Sequence, residues 1–429
     1  MNTGNISDIA IIGAGASGLM AASFASECGA TVTVFEKNTS EKKLEADKYF
    51  DNAYLGKKLL ITGKGRCNLT NDCSNEDFLK NVPANPKFLY SALGCFDTAS
   101  VMKFFEDNGC PVKVERGDRV FPVSDKSRDV LDALKRSITR ENCTFINSEV
   151  TSVEKSDGVF LVKCRSGKQY GFRRVIICTG GLSYPVTGST GDGYEFARSF
   201  GHTITPTRGS LVPIELDGSL HSEMQGLSLK NVVLTLFDKK NKKVFSELGE
   251  MLFTHFGISG PLVLSCSAHM RKDISEYRAE IDLKPALDEE TLDKRLVSDF
   301  TKYQNRDIKN AMTDLLPQKM IAPFVEVCSL PSDIKPNSLK KEQRRVILNT
   351  LKHFPLELKS LRPVTEAVIT SGGIPVKEIN PSTMESKICE GLYFAGEIID
   401  VDAYTGGFNL QIAFSTAKLA AVSCVQSLD

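Results

Sequence analysis

IIGAGASGLMAA (residues 11–22) places Gly13, Gly15 and Gly18 in a Gly-x-Gly-x-x-Gly turn between an apolar run and a run of helical periodicity. In such a turn the first glycine permits the tight bend, the second lets backbone approach a pyrophosphate, and the third lets helix pack closely on strand. Ala16 and Ser17 then open a helix whose free amides and partial positive charge face the phosphates. Outward from the turn, residues 8–36 read as strand, turn, helix and strand. The second strand ends at Glu36, followed by Lys37, and a carboxylate there accepts from ribose hydroxyls and disfavours a 2′-phosphate. The pattern predicts the opening unit of a doubly wound α/β fold that binds an adenosine-containing dinucleotide.

The C-terminal segment GLYFAGEIIDVDAYTGGFNLQIAFSTAKLAA (391–421) narrows the cofactor. It supplies a strand ending in Gly396 and Glu397, then Asp400, then a Gly-Gly turn running into a helix. It resembles the second fingerprint of the two-dinucleotide-binding flavoprotein class. That resemblance implies FAD, with Asp400 on the ribityl hydroxyls and Gly407, Phe408, Asn409 and Leu410 at a helix N-terminus facing the flavin pyrimidine edge. Positive potential there stabilises negative charge on a reduced flavin.

The 429 residues exceed one ordinary hydrophobic core, so two or three domains are expected. Fifty-three basic residues balance 53 acidic ones, which gives no net field for nucleic acid or anionic membrane, although a local patch is compatible with that balance. The N-terminus lacks a basic signal-like region and no window nears eighteen uninterrupted apolar residues, so a cytoplasmic protein without a membrane span is expected. Twelve dispersed cysteines without a C-x-x-C pair read as reduced thiols, and no metal site is expected. A polar, lysine-rich stretch from Thr39 to Lys48 reads as an exposed loop. The pattern divides the chain into a discontinuous FAD-binding Rossmann-like domain (1–204 and 365–429), an inserted β-barrel-like domain (205–287 and 353–364) and a small helical insertion (288–352) punctuated by Pro317, Pro323 and Pro331.

Four further strings, KKLLITGKGRCNLTN (57–71), GDRVFPVSDKSRDV (117–130), CTGGLSYPVTGSTGDGYEFARSFGHTI (178–204) and GEMLFTHFGISGPLVL (249–264), resemble the HI0933-like flavoproteins, a family that includes an aminoacetone oxidase and a bile-acid reductase. The resemblance implies three domains, with the β-barrel-like one covering the flavin. Lys64 departs from it, standing where a glycine is the commoner residue.

Related flavoproteins pass a loop beside the cofactor at Arg66, Cys67 and Asn68. Arg66 suits a phosphate and Asn68 the flavin; a polar loop packed on its own domain is the competing reading. Thr179, Gly180 and Gly181 close a strand that returns near the cofactor, and Val150 reads as the end of a strand offering its backbone to adenine. His255 and Tyr184 are the candidate catalytic residues, the first as general acid and the second as phenolic proton donor, each weighed against a packing role; His202 reads as structural. The expectation is a hydride exchange between flavin N5 and a small organic substrate, preferably reduction of an activated, enone-type double bond. Without a second full dinucleotide unit, NAD(P)H as reductant would visit the flavin transiently. Oxygen-dependent amine oxidation is the alternative, and a non-redox FAD scaffold or RNA-modification partner is the alternative of another class.

Overall fold

The computed structural model describes residues 6–38 and 55–428; the lysine-rich stretch from Thr39 to Lys48 lies outside them. The chain divides into two compact units, one of Met1–Ser210 with Val364–Asp429 and one of Leu211–Pro363.

In the first unit, Ser7–Ile12, the helix Ala16–Glu27 and Val32–Glu36 form the opening βαβ unit. Five strands run parallel in the order Cys143–Asn147, Val32–Glu36, Ser7–Ile12, Gln169–Ile177, Leu392–Phe394. The strand Gln169–Ile177 is shared, because its first half pairs antiparallel with Val159–Cys164, which pairs in turn with Val150–Ser156. Val150 therefore begins a strand rather than ending one: the preceding strand stops at Asn147 and the next starts at Val150. The C-terminal helix Phe408–Gln426 packs on the helix Ala16–Glu27. Neither has a polar face, as expected of helices covered on most sides. Phe408–Gln426 has the length and apolarity of a membrane span, yet most of it is buried in the protein. Each fully buried Leu or Phe in such a core contributes roughly 1.5–3 kcal/mol.

The second unit is an antiparallel sheet in the order Phe354–Leu356, Tyr277–Asp282, Ser228–Asp238, Lys243–Phe253, Gly257–Ser259, Ile214–Leu216, Leu358–Leu361. Its two outermost strands are separated in sequence by Glu357 alone, so the sheet must curl until its edges approach each other. That is the β-barrel-like element.

Two boundaries differ from the sequence reading. Thr205–Ser210 belongs to the first unit because it pairs antiparallel with Ile369–Gly373. The helices Glu289–Lys302, Gln318–Val327 and Lys341–Lys352 share one apolar core with the barrel-like sheet: Leu296, Phe324 and Leu351 cluster with Leu236 and Ile281. They form one unit with it rather than a separate insertion. Pro323 does not punctuate; it is buried inside Gln318–Val327.

Candidate flavin site

The strand Ser7–Ile12 delivers Gly13 at φ 101°, where an added Cβ would lie 2.7 Å from the Cys178 carbonyl oxygen. A Cβ on Gly18 would lie 1.8 Å from the Gly13 carbonyl oxygen. The protein's own packing thus requires both glycines. Gly15 differs: nothing stands within 4 Å of its Cβ position, which borders a cleft of about 1340 Å³ measured out to its mouth. The helix Ala16–Glu27 begins at this cleft with no side chain capping it, leaving amide donors and a positive dipole end directed at whatever the cleft holds.

Glu36 sits at the cleft wall, partly buried, and accepts from the Ala14 amide (3.0 Å) and the Asn38 amide (2.8 Å). Burial raises its pKa against the lowering effect of those two hydrogen bonds. Lys37 is paired with Asp192 and bonded to Thr190, so that stretch of wall is closed by an ion pair. Thr179 also lines the cleft, but its hydroxyl is buried toward Gly193, with no hydrogen-bond partner among the described residues.

A second cluster borders the same cleft around Glu397. Lys58 Nζ lies 2.5 Å from Glu397 Oε2 and 2.6 Å from Ser183 Oγ. Ser183 Oγ and the Thr370 amide both donate to Glu397 Oε1, at 2.8 and 2.9 Å. Burial alone would raise the Glu397 pKa, but the Lys58 charge together with the hydrogen bonds from Lys58, Ser183 and Thr370 holds it below the usual value. Gly181 leaves room for this network, since a Cβ there would lie 2.4 Å from Thr370 Oγ1.

Residues 7–423 match the HI0933-like protein Rossmann domain. The chain belongs to the HI0933-like family. It is an FAD-dependent oxidoreductase. This HI0933-like chain is 29% identical over 416 residues to the 3-dehydro-bile acid delta(4,6)-reductase of Clostridium scindens, covering 96% of the chain and 97% of that protein. It is 30% identical over 425 residues to the ribosomal RNA dihydrouridine synthase of Escherichia coli, covering 98% of each, and 31% identical to that of Haemophilus influenzae, covering 96% and 97%. The fold is similar to that of the 3-ketosteroid-delta4-(5alpha)-dehydrogenase of Rhodococcus jostii, with a TM-score of 0.52 at 14% identity over 98% of this chain and 96% of that one.

The residues present fit FAD. The open position at Gly15 and the uncapped helix end are each what a dinucleotide would complete. Of the residues singled out in the sequence, Gly13, Gly15, Ala16, Ser17, Glu36 and Lys37 line the cleft, as do Val150, Thr179, Gly180, Glu397, Asn409 and Leu410. Asn409 turns its side chain away to clamp its own loop, accepting from the Ala403 amide at 2.9 Å and donating to the Ala403 carbonyl at 2.7 Å.

Other members of the HI0933-like signature strings stand behind the wall. Gly396 and Gly407 are packing glycines: a Cβ would meet Ser17 Oγ at 2.6 Å in the first case and the Thr70 carbonyl oxygen at 2.2 Å in the second. Phe408 is buried edge-on against Phe78. Asp400 bonds through its backbone, its amide to Ile374 and its carbonyl to Asn85. Arg66, read in sequence as a phosphate ligand, is instead held by Glu115 and Asp125 and lies 4.2 Å over the Phe121 ring. Cys67 is fully buried, which pushes its thiol up to about 12, far from nucleophilic range. Asn68, with its amide oriented to suit its neighbours, donates to Thr70 and Val120 carbonyls and accepts from the Gly407 amide at 3.0 Å. It therefore braces the start of the C-terminal helix.

The two catalytic candidates fall in different units. Tyr184 is half-buried in the first, at φ 52°, immediately after Ser183 of the Glu397 network. His255 is exposed in the second, its ring edge-on to Phe256. His202 is structural, its ring nitrogens 3.1 Å from Glu378 and 2.7 Å from Ser386.

Lys58, Ser183 and Thr370 escaped the sequence reading. Lys58 and Ser183 lie inside quoted signature strings, but a lysine in a helical pattern reads as a solvated face. Only the fold shows that it meets a glutamate 339 residues away.

Proposed function

We propose that this chain reduces a carbon–carbon double bond conjugated to a carbonyl, taking its electrons from NAD(P)H by way of FAD. The observation that carries the reading is that three curated relatives of this dinucleotide-cleft protein bear two different names that denote one bond type. A 3-dehydro bile acid unsaturated at positions 4 and 6 is a conjugated enone, and uridine becomes dihydrouridine by saturation of the 5,6-bond conjugated to its 4-carbonyl.

FAD held in the cleft would supply the hydride. The chain's part is to bind and orient it, with the Gly15 to Ser17 amides on the pyrophosphate and Glu36 on the adenosine ribose. The remaining step is a proton to the α-carbon, which balances hydride addition at the β-carbon. Tyr184, held in a left-handed turn that costs a non-glycine residue about 1–2 kcal/mol, and His255 are the candidates for it.

A small enone is the preferred substrate. A uracil ring within ribosomal RNA is the second reading, favoured by the two relatives at 30% and 31% identity that carry that name.

The test is anaerobic. Protein loaded with FAD is bleached with NADH or NADPH, then mixed in parallel with a 3-oxo-Δ4 steroid, a uridine-containing RNA, or oxygen. Reoxidation by a conjugated double bond, with the saturated product found by mass spectrometry, is expected. Reoxidation by oxygen alone with stoichiometric peroxide refutes the reductase reading. Loss of turnover with retained bleaching in Tyr184→Phe or His255→Asn identifies the proton donor.

A further inference from the structure

The balanced overall charge conceals an uneven surface. In the second unit, residues 304–310 and 333–345 run side by side: the Ile308 amide bonds the Ile334 carbonyl at 2.8 Å, and the Asn337 amide bonds the Gln304 carbonyl at 3.4 Å. These two segments hold seven cationic residues and three acids, Asp307, Asp333 and Glu342. Arg344 is occupied by Asp293. The other six, Arg306, Lys309, Lys335, Lys340, Lys341 and Arg345, are all exposed, and none is in an ion pair among the described residues. Other exposed lysines of this unit do pair with neighbouring carboxylates, as Lys294 does with Glu290 and Lys302 with Asp314.

Lys341 and Arg345 are four apart on the helix Lys341–Lys352, so they share one face, and the helix N-terminus adds its own positive potential. Exposed amides of Gln304, Asn305 and Asn337 lie among the charges. Unpaired cations repel one another, and a surface that keeps six together is relieved by a polyanion. Spaced cations interleaved with amide donors and acceptors suit a flexible single strand, whose phosphates meet the cations while base edges and 2′-hydroxyls meet the amides. A lipid surface would use the charge but not the amides.

We propose that this face is an RNA-binding surface that engages the phosphate backbone of a single-stranded segment. The proposal deepens the RNA reading given above and rests on it for the choice of RNA over other polyanions.

The test uses the full-length flavoprotein and a fluorescein-labelled, uridine-rich single-stranded RNA of about 20 nucleotides, read by anisotropy across a salt series. Single-strand binding weakens with salt by a log–log slope of about −0.7 per neutralised phosphate, so six contacts give about −4. The triple variant K335E/K341E/R345E is expected to bind at least 10-fold more weakly, with the slope reduced by about 2. K240E/K242E/K243E, an equal charge reversal at the turn between Ser228–Asp238 and Lys243–Phe253, is expected to bind like the parent. Matching melting temperatures and flavin spectra establish that both variants are folded.

No RNA binding by the parent, equal losses in both triples, or tighter binding to phosphatidylserine vesicles than to RNA would each overturn the proposal. RNA binding lost only in the first triple, with no uracil reduced, upholds the surface and refutes the RNA-substrate reading. Reduction of a free enone by the first triple at the parent rate separates the surface from the reaction.

Discussion

Replacing Lys58 by methionine strips the cation from a carboxylate that is almost inaccessible. Glu397 has a side-chain exposure of 14%, and Lys58, at 24%, is its ion-pair partner at 2.5 Å. Two further donors, Ser183 Oγ and the Thr370 amide, remain in the variant. Breaking a buried pair from one side costs about 3–5 kcal/mol, because the surviving charge stays buried. At about 2.1 cal/mol/K per residue, a cooperative unit the size of Met1–Ser210 with Val364–Asp429 would lose about 5–9 °C in melting temperature. The effect depends on pH in a defined direction. In the parent, Glu397 is held below its ordinary 4.5, so its contribution is complete above that pH and is lost as pH falls through the lower folded value. Without Lys58 burial dominates and the carboxyl rises above 4.5, so the variant loses stability as pH climbs through that raised value. The deficit is therefore smallest near pH 4 and full by pH 7. Differential scanning fluorimetry of flavin-free protein at both pH values measures it. In the Glu397→Gln background the same Lys58→Met change should cost at least 1 kcal/mol less. A pH-independent deficit, or one unchanged by Glu397→Gln, would refute the reasoning.

Gly15→Ala should leave the melting temperature of flavin-free protein within a degree and weaken FAD binding at least 10-fold, since its Cβ enters only the cleft; Gly18→Ala, with a Cβ 1.8 Å from the Gly13 oxygen, should unfold the protein at lower temperature whether or not FAD is present. Thr179→Val removes a buried unpaired hydroxyl that packs on Gly193 behind the cleft wall, so the flavin-free protein should gain about 1 kcal/mol with FAD affinity unchanged, read by thermal shift and fluorescence titration. Lys64→Gly relieves a left-handed residue at φ 58° and should stabilise by about 0.5–1 kcal/mol in urea melts, the strain relieved exceeding the added chain entropy.

What the sequence disclosed was whatever depends on local spacing. Gly13, Gly18 and Glu36 lie within one βαβ unit, so their geometry is written in two dozen consecutive residues. Lys64 shows that even a departure is readable, for the chain there keeps the left-handed turn that glycine would make easily. Contacts across the chain were hidden. Arg66 resembled a phosphate ligand because nothing adjacent in sequence announces that Glu115 and Asp125, 49 and 59 residues on, would claim it first. The same blindness concealed Lys58. Asn409 and Asn68 were correctly seen as polar residues in sensitive loops, but only the fold decides whether an amide turns toward a ligand or braces its own backbone. The helices between 288 and 352 were legible as helices, whereas their sharing of one core with the sheet depends on which faces meet.

The cleft is closed by Asn409, Leu410, Ile412 and Ala413, within the last 21 residues, against a glycine turn made by the first 18. During synthesis the turn emerges nearly four hundred residues before its partner helix does. A nascent chain in which Phe408–Gln426 has not yet formed therefore lacks one wall of the cleft, and full-strength cofactor capture waits for that helix.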